Sequence, residues 1–139
     1  MEKSRVKRAR CWRERKAARQ RVSWTWRCTM RLEFRPWPGG TVDEETLRAR
    51  LVEEGFDPFR WNDPGGTTYA PHSHAHDESI WVVEGEITFH VAGQEYRLRP
   101  GDRLMLPAGT LHTAHVGNSG AVYLIGQRPP HARTSPPTS

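Results

Sequence analysis

Three histidines and a glutamate, at fixed spacing in a strand-rich stretch, are the residues of this chain best suited to chemistry. His72, His74 and Glu78 stand in Gly66-Thr-Thr-Tyr-Ala-Pro-His72-Ser-His74-Ala-His76-Asp-Glu78, which runs on to Gly85; His112 closes Gly101-Asp-Arg-Leu-Met-Leu-Pro107-Ala-Gly109-Thr-Leu-His112. Neutral imidazoles with a carboxylate suit borderline divalent ions, because nitrogen favours Zn, Fe, Ni and Cu while oxygen keeps Mn in play. Side chains two apart on a strand share a face, so His72 and His74 point the same way. Glu78, four residues beyond His74, keeps that parity if the chain stays extended. The residues themselves thus predict a divalent metal (Fe, Mn, Ni or Zn) on the inner surface of a β-structure, with His72, His74, Glu78 and His112 as candidate ligands.

The two segments resemble the paired motifs of the cupin family of small β-barrels. The first motif, G-x5-H-x-H-x3/4-E-x6-G, is met at Gly66, His72, His74, Glu78 and Gly85. The second, G-x5-P-x-G-x2-H-x3-N, is met at Gly101, Pro107, Gly109 and His112, but Val116 stands where it asks for Asn, and Asn118 comes two residues late. That Asn is not a metal ligand in the family, so its displacement leaves the implied site intact. The resemblance covers roughly residues 56–127. It implies an all-β, cupin-type β-barrel (jelly roll or double-stranded β-helix) and the metal set His72, His74, Glu78 and His112. His76 shares the parity of His74 and could replace His72 after a register shift, but Glu78 would then lie too close for the family spacing. Arg103 could instead pair with Glu78. Tyr69, Trp81, Met105 and Tyr123 could line a pocket beside the metal, though core packing accounts for each of them. His115 reads as a rim or outward residue and His90 as a surface one.

The elements that must hold these residues are short strands punctuated by Gly/Pro turns, at about 59–61, 67–70, 79–83, 87–91, 95–99, 103–106 and 121–125, with another starting at His112. Asn62-Asp63-Pro64-Gly65-Gly66 reads as a turn. One helix precedes them over 42–54, with Thr41 and Glu44 as a capping box, acidic residues in the first turn, an apolar stripe of Val42, Leu47, Leu51 and Val52, and Gly55 just past its end. Its expected role is packing, on the barrel or on a partner subunit.

The chain of 139 residues has a formal net charge of +5. That average hides a split: residues 1–29 hold eleven Lys/Arg against two Glu, while residues 30–139 hold ten Arg against fourteen Asp/Glu. The balances are +9 and −4, so the basic character belongs to the first segment. Residues 30–128 read as the single cupin domain, and 129–139, rich in Pro, Ser and Thr, as a disordered tail. Residues 1–29 read as a basic, disordered tail. The abrupt change at Met30 also suggests a start there, with the preceding stretch read in frame; a nucleic-acid arm and an organellar leader are further readings. Cys11 and Cys28 both lie in that tail, which leaves no cysteine for a disulfide framework or thiolate site in the barrel. No apolar run reaches the length of a membrane span, so the expected location is cytoplasmic.

The resemblance implies oxygenases, isomerases and lyases as reaction types. The expectation is accordingly a metal-dependent enzyme acting on a small molecule. The alternative is a non-catalytic small-ligand or metal-binding sensor module. A homodimer is expected as well, because Trp37, the helix and the aromatics Phe56, Phe59 and Trp61 offer more apolar surface than one small barrel would cover.

Overall fold

The computed structural model describes the backbone of residues 10–18 and 21–129, and the side chains of residues 30–129. Strands β1 (Arg10–Ala18) and β2 (Arg21–Thr29) pair antiparallel as a separate two-stranded sheet, where the sequence led us to expect a disordered tail. A hairpin alone is marginal in water. The other elements are β3 (Glu33–Arg35), α1 (Glu44–Glu53), β4 (Asp57–Asp63), β5 (Thr68–His72), β6 (Asp77–Val91), β7 (Gln94–Leu98), β8 (Arg103–Leu106) and β9 (His112–Arg128). Of the expected end tail, residues 129–139, all but the first lie outside the described residues.

β3 to β9 form one antiparallel sheet in the order β3-β8-β6-β9-β4, with β5 added on β9 and β7 on β6. This is the expected jelly-roll barrel. Two long strands build it. The first half of β6 pairs with β8 and with the second half of β9, whereas its second half pairs with β7 and with the first half of β9. Each long strand therefore serves both walls, and the pocket opens between them.

The sequence had led us to expect breaks at 84–86 and 117–120. The structure runs strands straight through both, with register shifts at Val82/Glu84 and Gly85/Ile87. Gly85 and Gly120, with φ of 78° and 87°, meet there backbone to backbone, and a Cβ on Gly85 would run into the Gly120 carbonyl. They are bends in continuous strands, where only glycine fits both the dihedral and the approach.

The helix is shorter than expected, and its cap lies two residues later. Asp43, not Thr41, is the N-cap; its carboxylate accepts from Thr46 N (3.3 Å) and Thr46 Oγ1 (2.5 Å). A short carboxylate next to the first turn satisfies orphan N–H groups and suits the positive dipole end. At the other end Gly55 takes φ 90°, donating to Val52 O (3.0 Å) while Phe56 N donates to Leu51 O (2.9 Å). That pattern is a Schellman stop. Leu47 and Leu51 are buried, but Val52 is 59% exposed and does not belong to the inward stripe.

The helix packs on its own barrel. Leu47, Leu51 and Phe56 join Met30, Trp81, Met105 and Leu124 in one apolar cluster. A second, larger cluster between the walls includes Ile80, Val82, Ile87, Phe89, Leu104 and Tyr123. The Arg103 side chain is almost wholly buried between helix and sheet. It donates to Ser79 Oγ (2.9 Å) and through both terminal nitrogens to Glu54, and it stacks 4.3 Å over the Trp81 ring. Arg103 thus engages Glu54 rather than Glu78. Much of the aromatic surface expected to need a partner is likewise covered by this chain; among the large apolar residues, Val52, Trp61 and Leu111 remain exposed.

Candidate metal centre

β5 ends at His72, directly opposite His112 at the start of β9. The chain then leaves the sheet, carries His74 and His76 through a loop, and re-enters it at Asp77, so that Glu78 lies on β6. Strand parity between His72 and His74 therefore does not operate. What brings His74 to its neighbours is the loop, pinned where Gly109 N donates to His74 O (2.8 Å). Together with Ala108 N donating to Asp77 Oδ1 (2.8 Å), this hydrogen bond ties the loop to the second motif segment.

The ring centroids lie 4.4 Å apart for His72–His112, 4.9 Å for His72–His74 and 5.5 Å for His74–His112. The ligating atoms of these three histidines all fall within 4.8 Å of one another. His72 Nδ1 lies 2.6 Å from Ala70 O, and His112 Nδ1 lies 3.0 Å from Thr110 O. A carbonyl only accepts, so each Nδ1 carries a proton, and in the neutral ring Nε2 is the nitrogen left with a lone pair. That tautomer offers Nε2 to a metal, with a backbone partner behind the ring. Burial lowers the His112 pKa from its ordinary value, with His72 and His74 adding to the effect against the Thr110 carbonyl and Glu78. These donors fit a borderline divalent ion.

Glu78 is buried beside this trio, and its grouping differs from the expectation. Its Oε1 lies 3.6 Å from His74 Nε2 and its Oε2 3.6 Å from His76 Nε2, while Gln127 Nε2 donates to Oε2 at 3.4 Å. His74, His76 and Glu78 form a second set whose ligating atoms fall within 4.8 Å, and the His74 and His76 rings stack at 5.3 Å. His76 Nε2 is buried without a hydrogen-bond partner. Both sets share His74. His76, set aside on spacing, is therefore beside the centre. His90 and His115 are exposed.

A cavity of about 200 Å³ opens on the histidines. Tyr69 and Tyr123 line it, whereas Trp81 and Met105 pack in the cluster beneath the helix. Phe59, Phe89 and Gln127 also line it without having been expected to. Alternation along 87–91 would have pointed to Phe89, whereas Gln127 enters only because β9 pairs it opposite Glu78. Asp63, expected in a turn, ends β4 instead and is only 5% exposed. Its Oδ1 accepts from Tyr69 OH (2.7 Å) and Trp61 Nε1 (3.0 Å), and its Oδ2 from Tyr123 OH (2.6 Å). Burial first, then the Asp63 contact, raises the pKa of both tyrosines. Tyr69 also links this group to the histidines, its ring centroid lying 6.2 Å from that of His72.

Comparison with known proteins agrees with the fold. Residues 59–125 match the family model for the cupin domain. Quercetin 2,3-dioxygenase of Bacillus subtilis (strain 168) is 36% identical over 76 residues, which make up 51% of this chain. The match spans only 23% of that enzyme's length. Among solved structures, a Rhizobium leguminosarum protein of unknown function superposes with a TM-score of 0.50 at 20% identity, over 53% of this chain and 70% of that one. The DMSP lyase DddQ from Ruegeria pomeroyi gives 0.49 at 27% identity, over 52% and 38%.

Proposed function

Residues 59–125 of this chain are a cupin domain, and from that premise we propose a metal-dependent enzyme acting on a small molecule, of oxygenase, isomerase or lyase type. The observation that carries the reading is the trio of His72, His74 and His112, two of them with Nδ1 committed to backbone carbonyls, at the wall of a cavity. We assign His72, His74, Glu78 and His112 as ligands of one divalent ion (Fe, Mn, Ni or Zn). When bound, such an ion supplies Lewis acidity or, if redox-active, oxygen chemistry. The protein side of the work is to favour the neutral His112 imidazole through burial, to hold the Glu78 carboxylate against His74, and to surround the ligand with Phe59, Phe89 and Tyr69. The similarity to quercetin 2,3-dioxygenase supports an oxygenase at the level of the domain.

A second reading has its own support. Apart from Glu78 and the histidines, the cavity lining offers no acid, base or nucleophile other than tyrosines whose protons go to Asp63. That composition also suits a module that holds a small molecule without turning it over. Metal analysis of untagged protein, followed by oxygen-uptake assays against small chelating acids and diketones, separates the two. Bound metal with turnover supports the enzyme; bound metal with no turnover on any of them supports the binding module. Protein that takes up no metal overturns the metal assignment in both. We further propose that the chain pairs as a homodimer through a face including the exposed Val52 and Trp61. No helix of the described residues is long and apolar enough to cross a membrane. A cytoplasmic location is part of the proposal.

A further inference from the structure

Deepening the reading above that this cavity takes a small molecule, and resting on it, we propose that Tyr69, backed by Asp63, recognises a hydrogen-bond donor on that molecule. The ligand would then carry a neutral hydroxyl at this flank and not a carboxylate. The argument starts from Asp63. A buried carboxylate is costly unless it is fully hydrogen-bonded. Asp63 meets that need with three neutral donors, Trp61, Tyr69 and Tyr123, and none of these contacts is to a cation. Each tyrosine therefore spends its single hydrogen on Asp63.

What Tyr69 has left to offer is the lone-pair side of its oxygen. It lies at the cavity wall, next to His72, and already accepts from Trp61 Nε1 at 3.3 Å. No Lys or Arg lines the cavity, while Glu78 does. A ligand carboxylate at this flank would face an acceptor with a fixed negative charge directly behind it. A ligand hydroxyl would instead complete a chain from its own O–H to Tyr69 and from Tyr69 to Asp63. Such chains strengthen one another.

The test uses the full-length protein and three para-substituted benzohydroxamates with hydroxymethyl, methyl or carboxylate groups, their affinities measured by calorimetry. The hydroxymethyl probe should bind about fivefold tighter than the methyl one, the usual worth of one net hydrogen bond. The carboxylate should bind weakest, by about tenfold. Tyr69→Phe should erase the hydroxymethyl advantage, and Asp63→Asn should shrink the carboxylate penalty; if Asp63→Asn fails to fold, Tyr69→Phe decides alone. A flat order, a carboxylate that binds tightest, no binding of any probe, or an unchanged order in Tyr69→Phe overturns the proposal. Metal content is assayed separately on each sample. A chain without metal sinks the metal reading, while the affinity order on that same chain still decides this one.

Discussion

His74 belongs to both sets of potential ligands, and substitutions around it tell them apart. Replacement of His74 by Ala should abolish stoichiometric metal in either arrangement. If the ion sits on the assigned set, His112→Ala should abolish it too, while His76→Gln should retain it, as read by elemental analysis of the purified variants. Retention in His112→Ala together with loss in His76→Gln would move the ion to His74, His76 and Glu78. Because imidazole must be neutral to ligate, occupancy should fall as pH drops through the histidine range. A further residue-level effect belongs to Tyr123, whose folded pKa is raised, first by burial and then by Asp63. For a group that is neutral when protonated, a raised folded pKa favours the fold while the proton is present in both states. That contribution is complete below the ordinary tyrosine value, about pH 10, and is lost as pH climbs above it. Denaturation midpoints from pH 8 to 11 should therefore fall less steeply in Tyr123→Phe than in the parent protein.

At the scale of elements, the helix is held by apolar burial and by one ion pair. The Arg103 side chain is 2% exposed and its partner Glu54 28% exposed, so removal of the carboxylate strands a cation between Trp81 and Phe56. Glu54→Gln should cost about 3 kcal/mol, toward the low end for breaking a buried pair, because Ser79 still accepts from Arg103. Chemical denaturation would measure it, and a loss within a few tenths of a kcal/mol would show that the pair does little. The bends of β6 and β9 give a second expectation. Gly85→Ala combines an unfavourable positive φ with a collision against the Gly120 carbonyl and should cost at least about 2 kcal/mol. Gly93→Ala, at a similar φ but with open space around its Cβ, should cost less. Equal effects at the two sites would mean that close approach at the bend is unimportant.

For the whole molecule, the question is what residues 1–29 contribute. β1 and β2 pair with each other and with no strand of the barrel sheet. Met30, by contrast, is buried in the cluster under the helix. A chain beginning at Met30 should keep its metal and melt within a few degrees of the full-length protein; a drop of ten degrees or more would show that the basic segment docks. If that segment binds nucleic acid, the full chain should do so with steep salt dependence, and the shortened one should not. Sedimentation of the shortened chain tests the proposed dimer. With Phe56, Leu47 and Leu51 folded inward, the pairing rests on a smaller exposed surface than the sequence alone suggested, and a clean monomer at micromolar concentration would overturn it.

The sequence by itself determined the barrel and the histidines, because both depend on local regularities. Alternating apolar residues and Gly/Pro punctuation indicate strands, and fixed spacing between ligand-type residues survives in the primary structure. Asp43 against Thr41 shows the limit of that legibility: both are good caps, and only the path of the chain into the barrel chooses. The tertiary structure alone decided how the site is assembled. His74 reaches its neighbours through a loop held by Gly109, not through strand parity, and His76 comes beside Glu78 by the same route. Asp63 lay in what reads as a turn, yet it meets Tyr69 and Tyr123 because β4, β5 and β9 converge there. Contacts between residues about sixty positions apart, such as Asp63 with Tyr123, leave no period in a sequence. They follow from two strands bent at Gly85 and Gly120, which bring both walls onto one cavity.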